Sequence, residues 1–200
     1  GEMIKRFFLE YRLLTSSLSV SLKDEKVDWH MGPEENWNVD LIDTGADTMT
    51  GGRLKRLMPT IEKETVMMTY GDGVGNVDIK NLVEFHRSHG KLATVTAVRP
   101  PARFGSLSFD GDNVTGFTEK PQLGEGWING GYFVFESGVA NYISGDETYL
   151  EREPLERLAQ DGQLMAYKHS DYWQPMDTLR DLQSLRERWD SQDAPWKVWK

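Results

Sequence analysis

Asp72 lies inside Thr69-Tyr70-Gly71-Asp72-Gly73-Val74-Gly75-Asn76, and a carboxylate set among glycines is the stretch of this 200-residue chain best suited to chemistry. Residues 65–68, Thr-Val-Met-Met, are apolar and partly β-branched, so they read as a buried strand. Residues 77–89 read as a helix with Ile79, Leu82, Val83 and either Phe85 or His86 inward. An acid at the end of a buried strand can hold a cation at the mouth of an α/β sheet. The glycines let a ligand approach the backbone closely. A dinucleotide fingerprint is excluded by spacing, because Gly71, Gly73 and Gly75 alternate and Asn76 follows. The bland alternative is a strand-to-helix turn with a capping Asp. Asp177, in Trp173-Gln174-Pro175-Met176-Asp177-Thr178, has a similar pair of readings. It is a helix N-cap, for which Thr178 is an equally good candidate, or it is a second carboxylate for the same cation. Two carboxylates leave positions open on Mg²⁺ for water and phosphate oxygens.

Other stretches offer weaker chemistry. Thr50-Gly51-Gly52-Arg53-Leu54-Lys55-Arg56 puts glycines and three cations at an expected helix start. Its backbone amides could take an anion, or the stretch is a turn followed by a solvated basic face. In Glu119-Lys120-Pro121 the proline holds Lys120 extended, as a point charge for phosphate or as a surface ion pair. Asn129-Gly130-Gly131 reads as a turn where backbone could meet a ligand. His86 and His89 stand three apart on the 77–89 helix, but no further ligand follows at metal spacing, so an exposed helix face is the expectation. Asp110-Gly111-Asp112 imitates a D-x-D metal motif, yet sits where a hairpin turn is expected.

These groups need elements to position them. Apolar spacing predicts a helix over 2–14 and strands over 18–22 and 38–42. A helix over 51–63 is interrupted by Pro59. A central strand follows at 92–98. Strands and turns fill 104–135, with one strand at 132–135. Short helices near 138–143 and 153–161, a strand at 164–168 and a final helix over 178–189 complete the chain. Alternating strands and helices around a β-rich stretch argue an α/β domain with a mixed sheet, one domain over residues 1–200. Composition excludes some classes. The chain is acidic, net −9, which argues against a nucleic-acid backbone as partner. It has no cysteine, hence no disulfide framework and no thiolate site, and no run long enough to span a membrane. The seven tryptophans are spread out, as packing or interface anchors are.

Taken in order, nine motifs resemble glucose-1-phosphate cytidylyltransferase, a sugar-1-phosphate nucleotidyltransferase. They are Asn36-Trp37-Asn38-Val39, Asp43-Thr44-Gly45, the 49–56 and 69–73 stretches, Arg103-Phe104-Gly105, Glu119-Lys120-Pro121, Ile128-Asn129-Gly130-Gly131, residues 173–181 and Ala194-Pro195-Trp196-Lys197. The likeness covers essentially the whole chain. It implies a Rossmann-like nucleotidyltransferase fold with a mixed central sheet and a small β-rich insertion. It also implies that CTP and glucose 1-phosphate give CDP-glucose and pyrophosphate with Mg²⁺. By that pattern Asp72 and Asp177 hold the metal, and Lys120 binds the sugar phosphate. Gly105, Glu119 and Asn129 face the sugar, while Thr50, Gly52, Arg53 and Gly71 line the nucleotide. The resemblance further implies a cytoplasmic enzyme, a homo-oligomer, and a role in polysaccharide sugars. Family members open with a strand and a G-G-x-G-T-R loop, and this sequence starts at what resembles the helix after their second strand. The expectation is therefore an N-terminally truncated fold with little or no activity of its own. A related UTP or dTTP transferase, or a non-catalytic binding remnant, are the alternatives.

Overall fold

The amphipathic spacing of the first residues does give a helix, α1, Glu2–Thr15. The structure, a computed structural model, describes residues 1–32, 35–61, 65–100, 106–118 and 126–199. These form two units, Gly1–Ala46 and Asp47–Lys200. In the first, none of α1 is buried. β1 (Ser17–Ser21) and β2 (Lys26–Met31) pair antiparallel across a turn in which Glu25 has φ 51°. The strand expected over 38–42 does not form, and β2 was not anticipated. The apolar alternation at Trp37, Val39 and Leu41 is used against a helix instead. These residues line a groove with Phe8, Leu9 and Tyr11, and the Trp37 and Tyr11 rings lie 5.9 Å apart.

The second unit starts with α2 (Thr50–Leu57), followed by a single 3₁₀ turn, Met58–Thr60, that contains Pro59. Proline lacks the N–H that would continue an α-helix, so the expected interruption occurs there. β3 (Thr65–Thr69) and a short β4 (Gly73–Gly75) lead to α3 (Ile79–His89). Asp78 caps α3 by accepting from the Asn81 N–H, and Gly90 ends it at φ 62°. β5 (Ala93–Val98) follows. β6 (Ser106–Asp110) and β7 (Asn113–Thr118) then make a separate hairpin, whose turn carries Gly111 at φ 60°. Asp110 thus ends β6 and Asp112 lies in the hairpin turn, as the spacing suggests.

β8 (Ile128–Glu136) is longer than the expected 132–135 strand. Asn129, Gly130 and Gly131 therefore lie within a strand rather than a turn. The ladder shifts between Val95 and Ala97, and Gly131 takes φ 79°. A Cβ on Gly130 would sit 2.6 Å from Val98 Cγ1, so its glycine is a packing requirement. After a 3₁₀ segment, Ser137–Tyr142, come α4 (Glu153–Gln160), β9 (Leu164–His169), β10 (Trp173–Pro175) and α5 (Leu179–Asp190).

The main sheet has the order β3-β8-β5-β9. β8 is antiparallel to β3 and β5, while β5 and β9 are parallel, so the sheet is mixed as expected. Consequently β3, β5 and β9 end at the same rim, where β8 begins. Phe133, Phe135, Val139, Ile143, Leu150 and Leu158 form the larger core on one side. Val77, Leu82 and Val134 form a smaller core under α3. Of the two readings of His86, inward on the helix or on an exposed face, the inward one holds: it is 1% exposed. Its ring bonds Thr94 Oγ1 at 2.8 Å and Glu136 Oε1 at 3.0 Å. No helix among the described residues is long and apolar enough to cross a membrane.

Candidate active site

Asp72 and Asp177 are remote in sequence but their segments meet at the sheet rim. β4 and β10 pair antiparallel, with Gly75 opposite Trp173 and Gly73 opposite Pro175. The ladder continues one step further, where the Met176 N–H donates to the Asp72 carbonyl at 2.7 Å. Asp177 follows directly. Both acids are exposed.

Neither acid caps a helix. Asp78 caps α3. At α5 the cap is Thr178, whose hydroxyl accepts from the Asp181 N–H at 3.2 Å while the Asp181 carboxylate accepts from the Thr178 N–H at 3.0 Å. The capping alternative for both residues is thereby assigned to their neighbours. Two oxygen-bearing side chains at one end of a ribbon are a chemically suitable donor set for a hard divalent cation. Among the described residues no group of three or more His, Asp or Glu is arranged to hold a metal ion; two carboxylates would leave positions on such a cation open for water or ligand oxygens.

Beside this ribbon runs a cleft of about 690 Å³, with Thr50, Arg53, Tyr70, Gly71, Asp72 and Glu151 on its polar side. Leu54, Leu57, Ile61, Val66 and Met68 supply an apolar wall. Three of the four expected nucleotide residues thus line one cavity with Asp72. Gly52 does not. It is buried, and a Cβ there would lie 2.6 Å from the Cα and carbonyl oxygen of Asp146. The anion-binding helix start also needs correction. The amides of Gly51 and Gly52 both donate to the Thr148 carbonyl, at 2.9 and 3.3 Å. Two of the expected basic residues are tied to the same loop. Lys55 Nζ donates to the Ile143 carbonyl at 2.6 Å, and Arg56 grips both Asp146 oxygens at 2.9 and 2.6 Å.

Glu151 was not anticipated. Its Oε2 accepts from Thr50 Oγ1 at 2.7 Å and its Oε1 from the Tyr70 hydroxyl at 2.5 Å. Asn129 Nδ2 donates to the same Tyr70 oxygen at 3.2 Å, and Asn129 Oδ1 accepts from the Gly131 N–H at 2.8 Å. Burial, then the Glu151 carboxylate, pushes the Tyr70 phenol well above its usual range, so it stays a proton donor. Four residues from separate segments thereby lock the cleft wall. Only a contact between distant positions reveals this, and no local spacing signals it. Gly105, Glu119 and Lys120 lie outside the described residues.

Residues 25–189 match the family described as Nucleotidyl transferase. The chain belongs to that family. A "Glucose-1-phosphate cytidylyltransferase" of Salmonella typhi is 46% identical over 200 residues, all of this chain and 78% of that protein. A "Probable glucose-1-phosphate cytidylyltransferase" of Bacillus subtilis is 36% identical with the same coverage. Among solved structures, HddC from Yersinia pseudotuberculosis superposes with a TM-score of 0.59 at 24% identity, over 78% of this chain and 68% of that one. That likeness carries the fold: a nucleotidyltransferase α/β architecture with a mixed central sheet. The resemblance read from the motifs and the enzyme class it implies agree with these relatives.

Proposed function

We propose that this nucleotidyltransferase sequence serves cytidylyl transfer from CTP to glucose 1-phosphate, yielding CDP-glucose and pyrophosphate. The observation that supports it most directly is the Met176–Asp72 backbone bond, which sets two acids at one end of the β4–β10 ribbon beside the cleft. In the reaction a phosphate oxygen of the sugar phosphate attacks the α-phosphorus of CTP in line. The new P–O bond forms as the bond to the bridging oxygen breaks, and its electron pair leaves with pyrophosphate. Asp72 and Asp177 would hold Mg²⁺, which when bound supplies charge neutralisation at the phosphate oxygens.

The remaining roles fall to positioning. Thr50 and Arg53 face the cleft for the nucleotide, and Gly71, with no atom within 4 Å of a would-be Cβ, leaves room for close approach. Gly52 supports this wall from behind. Asn129 keeps one amide hydrogen for a sugar hydroxyl beyond its bonds to Tyr70 and Gly131. Lys120 would take the sugar phosphate, with Glu119 and Gly105 on the sugar. Among the described residues β3 is an outer strand, and Met67 on it is 58% exposed. Such an edge can accept another strand. We propose that efficient turnover needs the G-G-x-G-T-R segment of the resemblance to be supplied along it.

The test is pyrophosphate release from glucose 1-phosphate with CTP, UTP, dTTP or GTP. It is run on the chain alone and on the chain joined to a family-type N-terminal segment. The expected result is a preference for CTP, abolished by chelation and restored by Mg²⁺. Release that favours another nucleotide, or that ignores chelation, rejects the assignment.

A further inference from the structure

The β4–β10 ribbon is very short for the job of fixing two acids. Three residue pairs, one of them containing proline, do not make a stiff ladder by themselves. What holds it lies on the far side, at Tyr172. The Tyr172 carbonyl accepts from the Asn76 N–H at 3.2 Å and from His169 Nε2 at 3.1 Å. Its hydroxyl donates to Gln174 Oε1 at 2.7 Å, within β10 itself. Asn76 Nδ2 donates to Asp171 at 2.8 Å, tying the end of the glycine stretch to the same turn.

The Tyr172 ring is gripped by the C-terminal segment. Trp196 stacks on it with centroids 5.7 Å apart and planes at 26°, and the Arg188 guanidinium lies 5.4 Å from its centroid. That segment is folded back on α5. Arg188 pairs with Asp193 at 3.1 Å, the Asp193 N–H donates to the Arg188 carbonyl at 2.9 Å, and Lys197 sits over the Trp189 ring. Trp196 is half-buried.

We propose that Trp196 is a positioning residue. Its stack on Tyr172 clamps the β9–β10 turn and so sets the distance between Asp72 and Asp177 for a divalent cation. The proposal rests on the metal reading above. Partners behind the ligands commonly change metal affinity without touching the metal.

The experiment compares Trp196→Ala and Trp196→Phe with the unaltered chain. Hydrogen exchange is followed at the Val74, Asn76 and Met176 amides, and Mn²⁺ binding is measured by titration, with Asp72→Asn as control. Trp196→Ala should speed exchange at those amides while leaving the β5 and β8 core amides protected. It should also weaken Mn²⁺ binding on the order of tenfold. Trp196→Phe, which keeps a stacking ring, should restore most of both. Unchanged ribbon exchange overturns the clamp. Faster ribbon exchange with unchanged Mn²⁺ affinity, where Asp72→Asn abolishes binding, overturns the positioning role. Global loss of core protection in Trp196→Ala, not rescued by Phe, makes the residue merely structural and overturns it too. If Asp72→Asn binds Mn²⁺ like the unaltered chain, the metal reading itself fails, and the proposal falls with it.

Discussion

Two glycine-bearing stretches, Thr50–Gly52 and Gly71–Gly75, look alike in sequence, flank the same cleft and do opposite things. In the first, both amides are consumed by the Thr148 carbonyl, and a Cβ on Gly51 or Gly52 would strike the backbone of the 146–148 loop at 2.8 or 2.6 Å. These glycines exist so that two backbones can touch. In the second, Gly71 has open space and its neighbour Asp72 faces the cleft. That stretch is held by its pairing with β10, by the Met176 N–H on the Asp72 carbonyl and by the Asn76 bond to Asp171. Glycine in a motif therefore signals close approach, but the thing approached is a protein loop in one case and a ligand-sized space in the other.

The largest expected effect belongs to the open stretch. Asp72→Asn should lower CTP-dependent turnover on the order of a hundredfold or more, with the thermal midpoint unmoved. The assay is pyrophosphate release in the chain joined to the N-terminal segment, with calorimetry alongside. Near-normal turnover in Asp72→Asn would break the comparison at once, since the open stretch would then have no chemical task.

Stability should show the reverse pattern. Gly52→Ala forces a methyl against Asp146 backbone that cannot swing away, so it should cost about 1–3 kcal/mol in urea unfolding. Gly71→Ala meets nothing and should stay within about 0.5 kcal/mol. If Gly71→Ala is the more destabilising of the two, the division between packing and ligand glycines is wrong.

Much of this was readable beforehand because its physics is local. β3 and β5 announce themselves as apolar, β-branched runs, and Gly90 and the Thr178–Asp181 box mark helix ends by chemistry confined to one turn. What was not readable is pairing between remote short pieces. β4 and β10 have three residues each, Gly-Val-Gly and Trp-Gln-Pro, with no alternation to reveal a strand. Glu151 looks like a solvated acid in a charged run, and its role depends on Thr50 and Tyr70 arriving from elsewhere. The 38–42 run had strand-like alternation, but its apolar residues face α1 rather than a second strand.

The smallest expected effect concerns acid, and it sharpens the contrast because each stretch has its own carboxylate tether. Arg56 holds the Asp146 carboxyl below its ordinary 3.8, and Asn76, then the Tyr172 N–H, does the same for Asp171. A lowered folded-state value means that the unfolded chain takes up protons first as pH falls. The stabilisation from each is therefore complete above about pH 4 and is lost as pH drops through the folded value. Both groups are solvent-exposed, so each contribution is small. Asp146→Asn and Asp171→Asn should each lie slightly below the unaltered chain in stability at pH 7, with the gap closing as pH falls through each group's lowered folded-state value. Hydrogen exchange should separate them. Asp146→Asn should loosen the Gly51 and Gly52 amides, and Asp171→Asn the Asn76 amide. A gap that widens toward low pH would reverse the sign of the linkage and show that neither carboxylate tethers its stretch in the charged form.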